Sequence, residues 1–233
     1  MKRILLKLSG EALANGRENE IYDAAYVDKV AAAIKKCADD GLEIAVVVGA
    51  GNIWRGRSGT EMSRTAADHM GMLATVINAI YLKDALVRQG AMAEVMTASP
   101  MLPFAEGYSS EKAIKALECG KIVIFGAGLG IPFLSTDTAG VVRAAEISAD
   151  AMFMAKNVDY IYTDDPKKNP NAKKLERVKA SEILAMNLKA IDSTAAAFCM
   201  SNDLPVHVFG FREPDDIVKA LKGERVGTVI SAE

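Results

Sequence analysis

Three features predict an α/β fold, a three-layer αβα sandwich with a mostly parallel central sheet. Apolar runs of strand length alternate with helical stretches along the chain, the pattern of parallel strands joined by crossover helices. Two of these runs, Ile44–Val48 and Lys121–Phe125, are nearly continuous in branched and large apolar residues, as in strands covered on both faces. Several runs end directly in glycine turns, where such sheets open onto helix N-termini. Half of the 233 residues are apolar, which is enough for one sizeable core, so one domain over residues 1–233 is expected.

Taken in order, Ile4, Leu5, Leu6 and Leu8 form a first buried strand that Ser9-Gly10 breaks. Residues Ala14 to Tyr22 are polar and predict a loop, after which Asp23 caps a helix running to a stop at Gly41. Strand Ile44–Val48 ends at Gly49-Ala50-Gly51-Asn52, and the polar stretch Arg55–Thr65 leads into a long helix from Ala66 to Arg88. Strand Ala93–Met96, a loop marked by Pro100 and Pro103, and helix Ser110–Cys119 follow. Strand Lys121–Phe125 ends at Gly126-Ala127-Gly128-Leu129-Gly130, and Ser135-Thr136-Asp137 can cap a helix over Ala139–Ile147. Strand Ala151–Met154 precedes a lysine-rich loop, then helices near Ser181–Met186 and Ser193–Asn202. Strand Val206–Phe209, helix Asp215–Lys222 and strand Gly227–Ile230 close the chain.

The net charge of −2 supplies no basic field for nucleic acid or a membrane surface, so countercharges to an anionic ligand must be local. No uninterrupted apolar run reaches the roughly 18 residues of a membrane span, and the N-terminus has no long apolar signal core. Cys37, Cys119 and Cys199 are odd in number and far apart, as expected of structural thiols in a reducing cytoplasm. With only His69 and His207, a histidine-rich zinc site is not expected; His207 fits a strand residue with a hydrogen-bonded ring.

Chemistry concentrates at three strand ends: Lys7–Gly10, Gly49–Asn52 and Gly126–Asp137. Glycine turns expose backbone N–H groups, and a helix N-terminus adds about half a positive charge, so each is suited to phosphate. Lys7 at a strand end serves either as an anion ligand or as a lysine reaching solvent. Arg55 follows the second turn with a planar fork suited to phosphate. Asp137 is of the wrong sign for a phosphate site unless it accepts a hydrogen bond or balances Mg²⁺; the alternative is an ordinary helix cap. No P-loop is present, and the dinucleotide fingerprint fails because Trp54 and Ile131 stand where its last glycine belongs. A lysine, an arginine, glycine amides and a carboxylate around polyphosphate are the usual set for phosphoryl transfer.

Several blocks then carry a resemblance: Lys7-Leu8-Ser9-Gly10-Glu11-Ala12-Leu13, Gly49 through Gly56, Asp68-His69-Met70-Gly71-Met72-Leu73-Ala74-Thr75, Pro132 through Asp137, and Thr163-Asp164-Asp165-Pro166. Over nearly its whole length the chain resembles the bacterial uridylate kinases of the amino-acid-kinase superfamily, the third block being the most specific. The resemblance implies phosphoryl transfer from ATP to UMP with Mg²⁺, in pyrimidine nucleotide biosynthesis. It implies that Lys7, Leu8, Ser9, Gly10, Gly51 and Arg55 hold ATP phosphates, with Asn157, Tyr162 and Asp165 at the adenosine. It assigns Ala50, Asp68, Leu129, Gly130, Ile131, Pro132, Phe133, Leu134, Ser135 and Thr136 to UMP. Lys7, Arg55 and Asp137 would be catalytic, with no direct protein metal site beyond Asp137 itself. A cytoplasmic homohexamer activated by GTP and inhibited by UTP is further implied, as are alternatives on the same fold: a carboxylate or carbamate kinase, or a non-catalytic nucleotide-binding regulator.

The chain departs from the family pattern in four places. Tyr160 replaces a glycine on the adenine side, Leu129 and Ile131 replace residues that are often polar, and Gly210-Phe211-Arg212 replaces asparagine-containing text. The loop matching the glycine-rich GTP-associated segment reads Asn15-Gly16-Arg17-Glu18-Asn19-Glu20, with one glycine and two acids. Extra carboxylates repel an anionic effector and fewer glycines restrict the backbone, so GTP activation should be weak or altered. Initial rates against GTP concentration check this, and strong activation would refute it.

Overall fold

The computed structural model describes residues 1–17, 20–54, 61–166 and 168–232. The strands are β1 (Arg3–Leu8), β2 (Glu43–Val48), β3 (Ala93–Thr97), β4 (Glu106–Gly107), β5 (Ile122–Gly126), β6 (Ala151–Lys156), β7 (Ile161–Tyr162), β8 (Lys174–Leu175), β9 (Arg177–Lys179), β10 (Val206–Gly210) and β11 (Thr228–Ser231). The helices are α1 (Ala24–Asp39), α2 (Arg64–Arg88), α3 (Ser110–Glu118), α4 (Thr136–Glu146), α5 (Ala180–Ala185), α6 (Ser193–Asn202) and α7 (Asp215–Leu221). A nine-stranded sheet has the order β4-β3-β5-β2-β1-β6-β10-β11-β9, and β7 with β8 makes a separate two-stranded hairpin. Every pairing in the large sheet is parallel except β10 with β11.

Helices α1, α2 and α7 cover one face of the sheet, and α3, α4, α5 and α6 the other. Side chains alternate along β1, and that alternation decides the face on which Lys7 emerges. Ile4, Leu6 and Leu8 enter the first core and Leu5 the second, so Lys7 points to the α4 side with Leu5. Strand β1 is also the place where the strand order reverses, with β2 on one flank and β6 on the other. Ligands bind open α/β sheets at such a crevice, beyond the strands' carboxyl ends.

The helix and strand pattern agrees with the sequence, with corrections at polar or short elements. Residues Gly10–Ala14 form a 3-10 helix capped by Ser9, taking the first residue of the expected loop. The strands β4, β7, β8 and β9 are additions to the expected set, being two or three residues long and without an apolar run. Asp23 caps α1 through the Tyr26 N–H. At α4 the cap is Ser135, which accepts from the N–H groups of Asp137 and Thr138, so Asp137 lies inside the first turn. Cys37 and Cys199 are buried, and burial lifts their thiols to about 11 and about 12 respectively. Cys119 is exposed at the end of α3, where it has no core to fill, contrary to a structural role. The His207 ring stacks on Phe153 at 4.6 Å.

Helix α2 has the length and apolarity of a membrane span. Its Ala79, Leu82 and Leu86 face packs into the core, and its Thr75 and Asn78 bond to loops at the sheet's end. These contacts fit a core helix.

Gly227 marks a tight approach: its φ is +78°, and a Cβ there would lie 2.0 Å from the Val208 carbonyl oxygen. Gly227→Ala should therefore cost about 3 kcal/mol or more, read as a lowered urea midpoint.

Candidate active site

Lys7 and Asp137 meet at the switch point. Parallel register sets Lys7 opposite Val47 and Met154, and α4 starts directly above that face. Lys7 Nζ lies 2.9 Å from Asp137 Oδ1, and Lys156 Nζ lies 2.8 Å from Asp137 Oδ2. Lys156 is two residues beyond Met154 on β6, so the pleat carries it to the same face as Lys7. Lys7 and Asp137 are only 6% and 9% exposed, so water screens this system poorly.

The charges set one another's titration. Burial pushes the Asp137 carboxyl upward, but Lys7 and Lys156 together outweigh it and hold it below the usual carboxylate range. Burial pushes Lys156 down, and Lys7 adds to that; Asp137 restores only part. One carboxylate is thus shared between two ammonium groups, and the nearby Asp192 adds to it without overcoming the burial of Lys156.

A cavity of about 620 Å³ opens over this triad, within the size range of small-molecule sites. Of the expected residues it takes in Lys7, Ala50, Asp68, Leu129, Ile131, Leu134, Ser135, Thr136 and Asp137. Gly130, Pro132 and Phe133 belong to the same loop but do not line the cavity. Phe133 is held instead by its N–H, which donates to Asp68 Oδ2 at 2.8 Å, and by the Arg64 guanidinium 5.2 Å from its ring centre. Leu129 and Ile131 offer no side-chain hydrogen bonds, so polar contacts from that stretch must come from backbone. The described lining carries Lys7, Arg64, Lys156 and Lys189 against Asp68, Asp137 and Asp192, an excess of positive charge suited to an anion.

The first two glycine turns abut. A Cβ on Gly10 would lie 2.7 Å from the Gly49 carbonyl oxygen and 2.8 Å from the Gly51 nitrogen, so only glycine permits the contact. Ser9 Oγ accepts from the Ala12 N–H at 3.3 Å. Leu8 contributes backbone alone, since its side chain is in the core and its carbonyl accepts from the Gly49 N–H at 2.9 Å. A second cavity of about 810 Å³ is lined by Gly51 and Asn157 with Glu11, Arg17, Phe211 and Arg212, which locates the unusual Phe211-Arg212 pair. Tyr162 and Asp165 line neither cavity. The Tyr162 hydroxyl is tied to Asp159 at 3.0 Å, and Asp165 is half exposed near Lys168. Arg55 lies outside the described residues.

Four participants go beyond those expected from the sequence. Lys156 gives the same signal as Lys7, a lysine closing a buried strand, but ending that strand at Met154 hides it. Asp192 caps α6 and receives the hydroxyls of Ser135 and Thr138, joining two helix starts at the cavity wall. Asn78 is fully buried in α2, where its Nδ2 donates to the Gly49 carbonyl at 2.7 Å and to Asn52 Oδ1 at 2.8 Å. Thr75 holds the third turn. A buried polar residue within a helix is the one signal that would have flagged Asn78 and Thr75.

Among the described residues no group of three His, Cys, Asp or Glu could hold a metal ion. Both Asp137 oxygens are engaged by lysines. Of the expected residues, Asp137 would be the carboxylate nearest a metal brought in on a nucleotide, and it would have to share its oxygens with the two lysines.

Asp137→Asn would leave the buried Lys7 ammonium facing the partly buried one of Lys156, at a cost of about 3 kcal/mol near neutral pH. Lys156, already held below the usual lysine range, would be driven lower, so the folded state would bind fewer protons than the unfolded one. Stability then rises with pH, and the deficit should shrink as pH climbs toward the usual lysine range. Urea unfolding of both proteins at neutral and alkaline pH checks this; a constant deficit contradicts it.

Solved structures share this arrangement of elements. The chain superposes on the UMP kinase of Bacillus anthracis with a TM-score of 0.94 and 38% identity, covering 100% of this chain and 96% of that one. The UMP kinase of Ureaplasma parvum gives 0.91 and 36%, covering 99% and 98%. The uridylate kinase of Archaeoglobus fulgidus gives 0.75 and 28%, covering 99% and 100%. The model of the Amino acid kinase family matches residues 2–210, and with the Lys7–Asp137–Lys156 triad at the switch point of the expected sheet, the chain belongs to that family.

Proposed function

We propose that this chain is a single-domain UMP kinase over residues 1–233, transferring the γ-phosphoryl group of ATP to the phosphate of UMP to give UDP and ADP. The observation that carries the reading is the Lys7–Asp137–Lys156 triad, its Lys7–Asp137 pair buried, at the floor of a positively charged, nucleotide-sized cavity. Likeness to bacterial UMP kinases over almost the entire chain supports the acceptor.

The chemistry derives from the charges. A bond forms between an acceptor phosphate oxygen and the γ-phosphorus while the bond from that phosphorus to the β,γ-bridging oxygen breaks, leaving ADP. An acceptor phosphate is already ionised near neutral pH, with a second pKa of about 6, so no general base is needed. Asp137 is unsuited to be one, since both its oxygens are occupied and its carboxyl is held in the ionised form. Its part is to fix two ammonium groups. Lys7 and Lys156 then face the transferred group as preset positive charge, and positioning with charge neutralisation supplies most of the rate. The abutting turns at Gly10 and Gly51 present backbone N–H groups to the ATP phosphates, and Arg55 is assigned there from the sequence. Ala50, Asp68 and the loop from Leu129 to Thr136 hold UMP. Asn157 and the second cavity receive the nucleoside end of ATP, with Tyr162 and Asp165 assigned to it by resemblance alone. Mg²⁺ on ATP would neutralise charge between the β- and γ-phosphates.

Assembly and regulation belong to the same proposal. Met70, Leu73, Ile77, Ile80 and Val87 are exposed on the outer face of α2 at spacings of three, four and seven, which suits burial against a second copy in a homo-oligomer, a hexamer by resemblance. For GTP as an effector, Arg17 is already engaged by Glu20 and Asp23, which favours a weak response. A reducing, cytoplasmic setting agrees with three free thiols.

A coupled ADP-release assay with UMP, dUMP, CMP, glutamate, aspartate and carbamate tests the reading. UMP should be the preferred acceptor, and Lys7→Ala should lower its turnover by orders of magnitude with the fold retained. Preference for a carboxylate or carbamate, or nucleotide binding without turnover, would overturn it.

A further inference from the structure

We propose that Thr75 is a positioning residue for the acceptor: its hydroxyl fixes the start of the loop that holds the acceptor nucleotide. The role rests on the acceptor site assigned above and adds to it a residue of the cavity wall whose hydroxyl is spent on the backbone of the loop and of its own helix.

Thr75 lies in α2 and is 4% exposed. Its Oγ1 accepts from the Ala127 N–H at 2.8 Å, a buried bond between segments 52 residues apart. The same hydroxyl donates to the Met72 carbonyl at 2.6 Å, so its proton is committed and a lone pair is aimed at Ala127. Ala127 needs such an anchor, because it takes φ +62°, a left-handed conformation that a side chain disfavours. From it the loop turns, with Gly130 N–H donating to the Ala127 carbonyl at 3.0 Å and Gly128 and Gly130 both at positive φ. The helix passes so close that a Cβ on Gly126 would lie 3.2 Å from Val76 Cα.

The far end of the loop is held by the same helix, where Phe133 N–H donates to Asp68 at 2.8 Å. Residues 68 and 75 are seven apart, two turns of one face, about 10 Å along the axis. The loop is thus strung between two rungs of a rigid helix. Losing the upper rung leaves a buried N–H without a partner and frees the strained residue, which displaces the backbone groups meant for the acceptor. ATP, held on the other turns, should not register the change.

Steady-state kinetics of the full-length protein provide the test, with wild type in parallel. Thr75→Val keeps the shape and removes the acceptor atom. It should raise the KM for the acceptor about tenfold or more while the KM for ATP stays within about twofold. Thr75→Ser should stay within about threefold of wild type in both constants, since it keeps the hydroxyl. An unchanged acceptor KM in Thr75→Val, or equal impairment of Val and Ser variants, overturns the proposal. Amide exchange of Ala127 in the wild-type protein is an independent measurement in case the variant does not fold: slow exchange is expected, and exchange as fast as an exposed amide overturns it. If wild type ignores UMP and uses another acceptor, the functional reading fails and the KM comparison moves to that acceptor. Inactivity on every acceptor also sinks that reading, and Ala127 exchange still judges the anchor.

Discussion

Two ammonium groups sharing one buried carboxylate is the constraint on which the site depends. Bringing three charges out of water is costly, and for the pair alone the attraction repays this only with good geometry. Here Asp137 meets each lysine at less than 3 Å with a separate oxygen, which is the geometry required. Burial holds Lys156 below the usual lysine range even with Asp137 against it and Asp192 nearby. A phosphate entering the cavity completes the balance. Charge fixed in place before a ligand arrives is the arrangement that can speed a reaction without rearranging.

That arrangement needs three elements in fixed relation. Strands β1 and β6 are hydrogen-bonded neighbours, so the spacing of Lys7 and Lys156 is set by the parallel ladder. Helix α4 brings Asp137 down between them, and its start is tied through Ser135, Thr138 and Asp192 to the start of α6. On the opposite face of the sheet, α2 grips the turns themselves, with Asn78 on Gly49 and Thr75 on Ala127. The triad is thus set by the sheet, and the loops around it by one long helix.

Much of this is legible in the sequence, and the failures share a cause. The seven long strands and the helices are marked by apolar runs and their stops because burial on both faces dictates composition there. The short strands β4, β7, β8 and β9 bury little and so leave no such mark. Lys7 and the glycine turns are visible as exceptions to local pattern: a charge closing a strand, and bends without side chains. Lys156 is the same exception, hidden when the strand is ended two residues early. Asp137 is visible as a carboxylate of the wrong sign, but the reason for that sign is a pair of lysines 130 and 19 residues away, which proximity in sequence does not reveal. Asp192, Asn78 and Thr75 act by hydrogen bonding to distant backbone or hydroxyl groups, and only the tertiary fold names their partners.

The triad also constrains which acceptor the site can serve. An alcohol acceptor must lose a proton as it attacks, which calls for a free base, yet Asp137 has given both oxygens to lysines and stays ionised because of them. Asp68 is turned toward the Phe133 amide and the Arg64 guanidinium. A phosphate or carboxylate acceptor arrives already ionised and instead needs its charge offset, which the cavity's excess of cations provides. Between those two anions, the full-length likeness to UMP kinases favours the phosphate of a nucleotide. Charge thus favours an anionic acceptor over an alcohol, and the choice among anions rests on kinship rather than on charge.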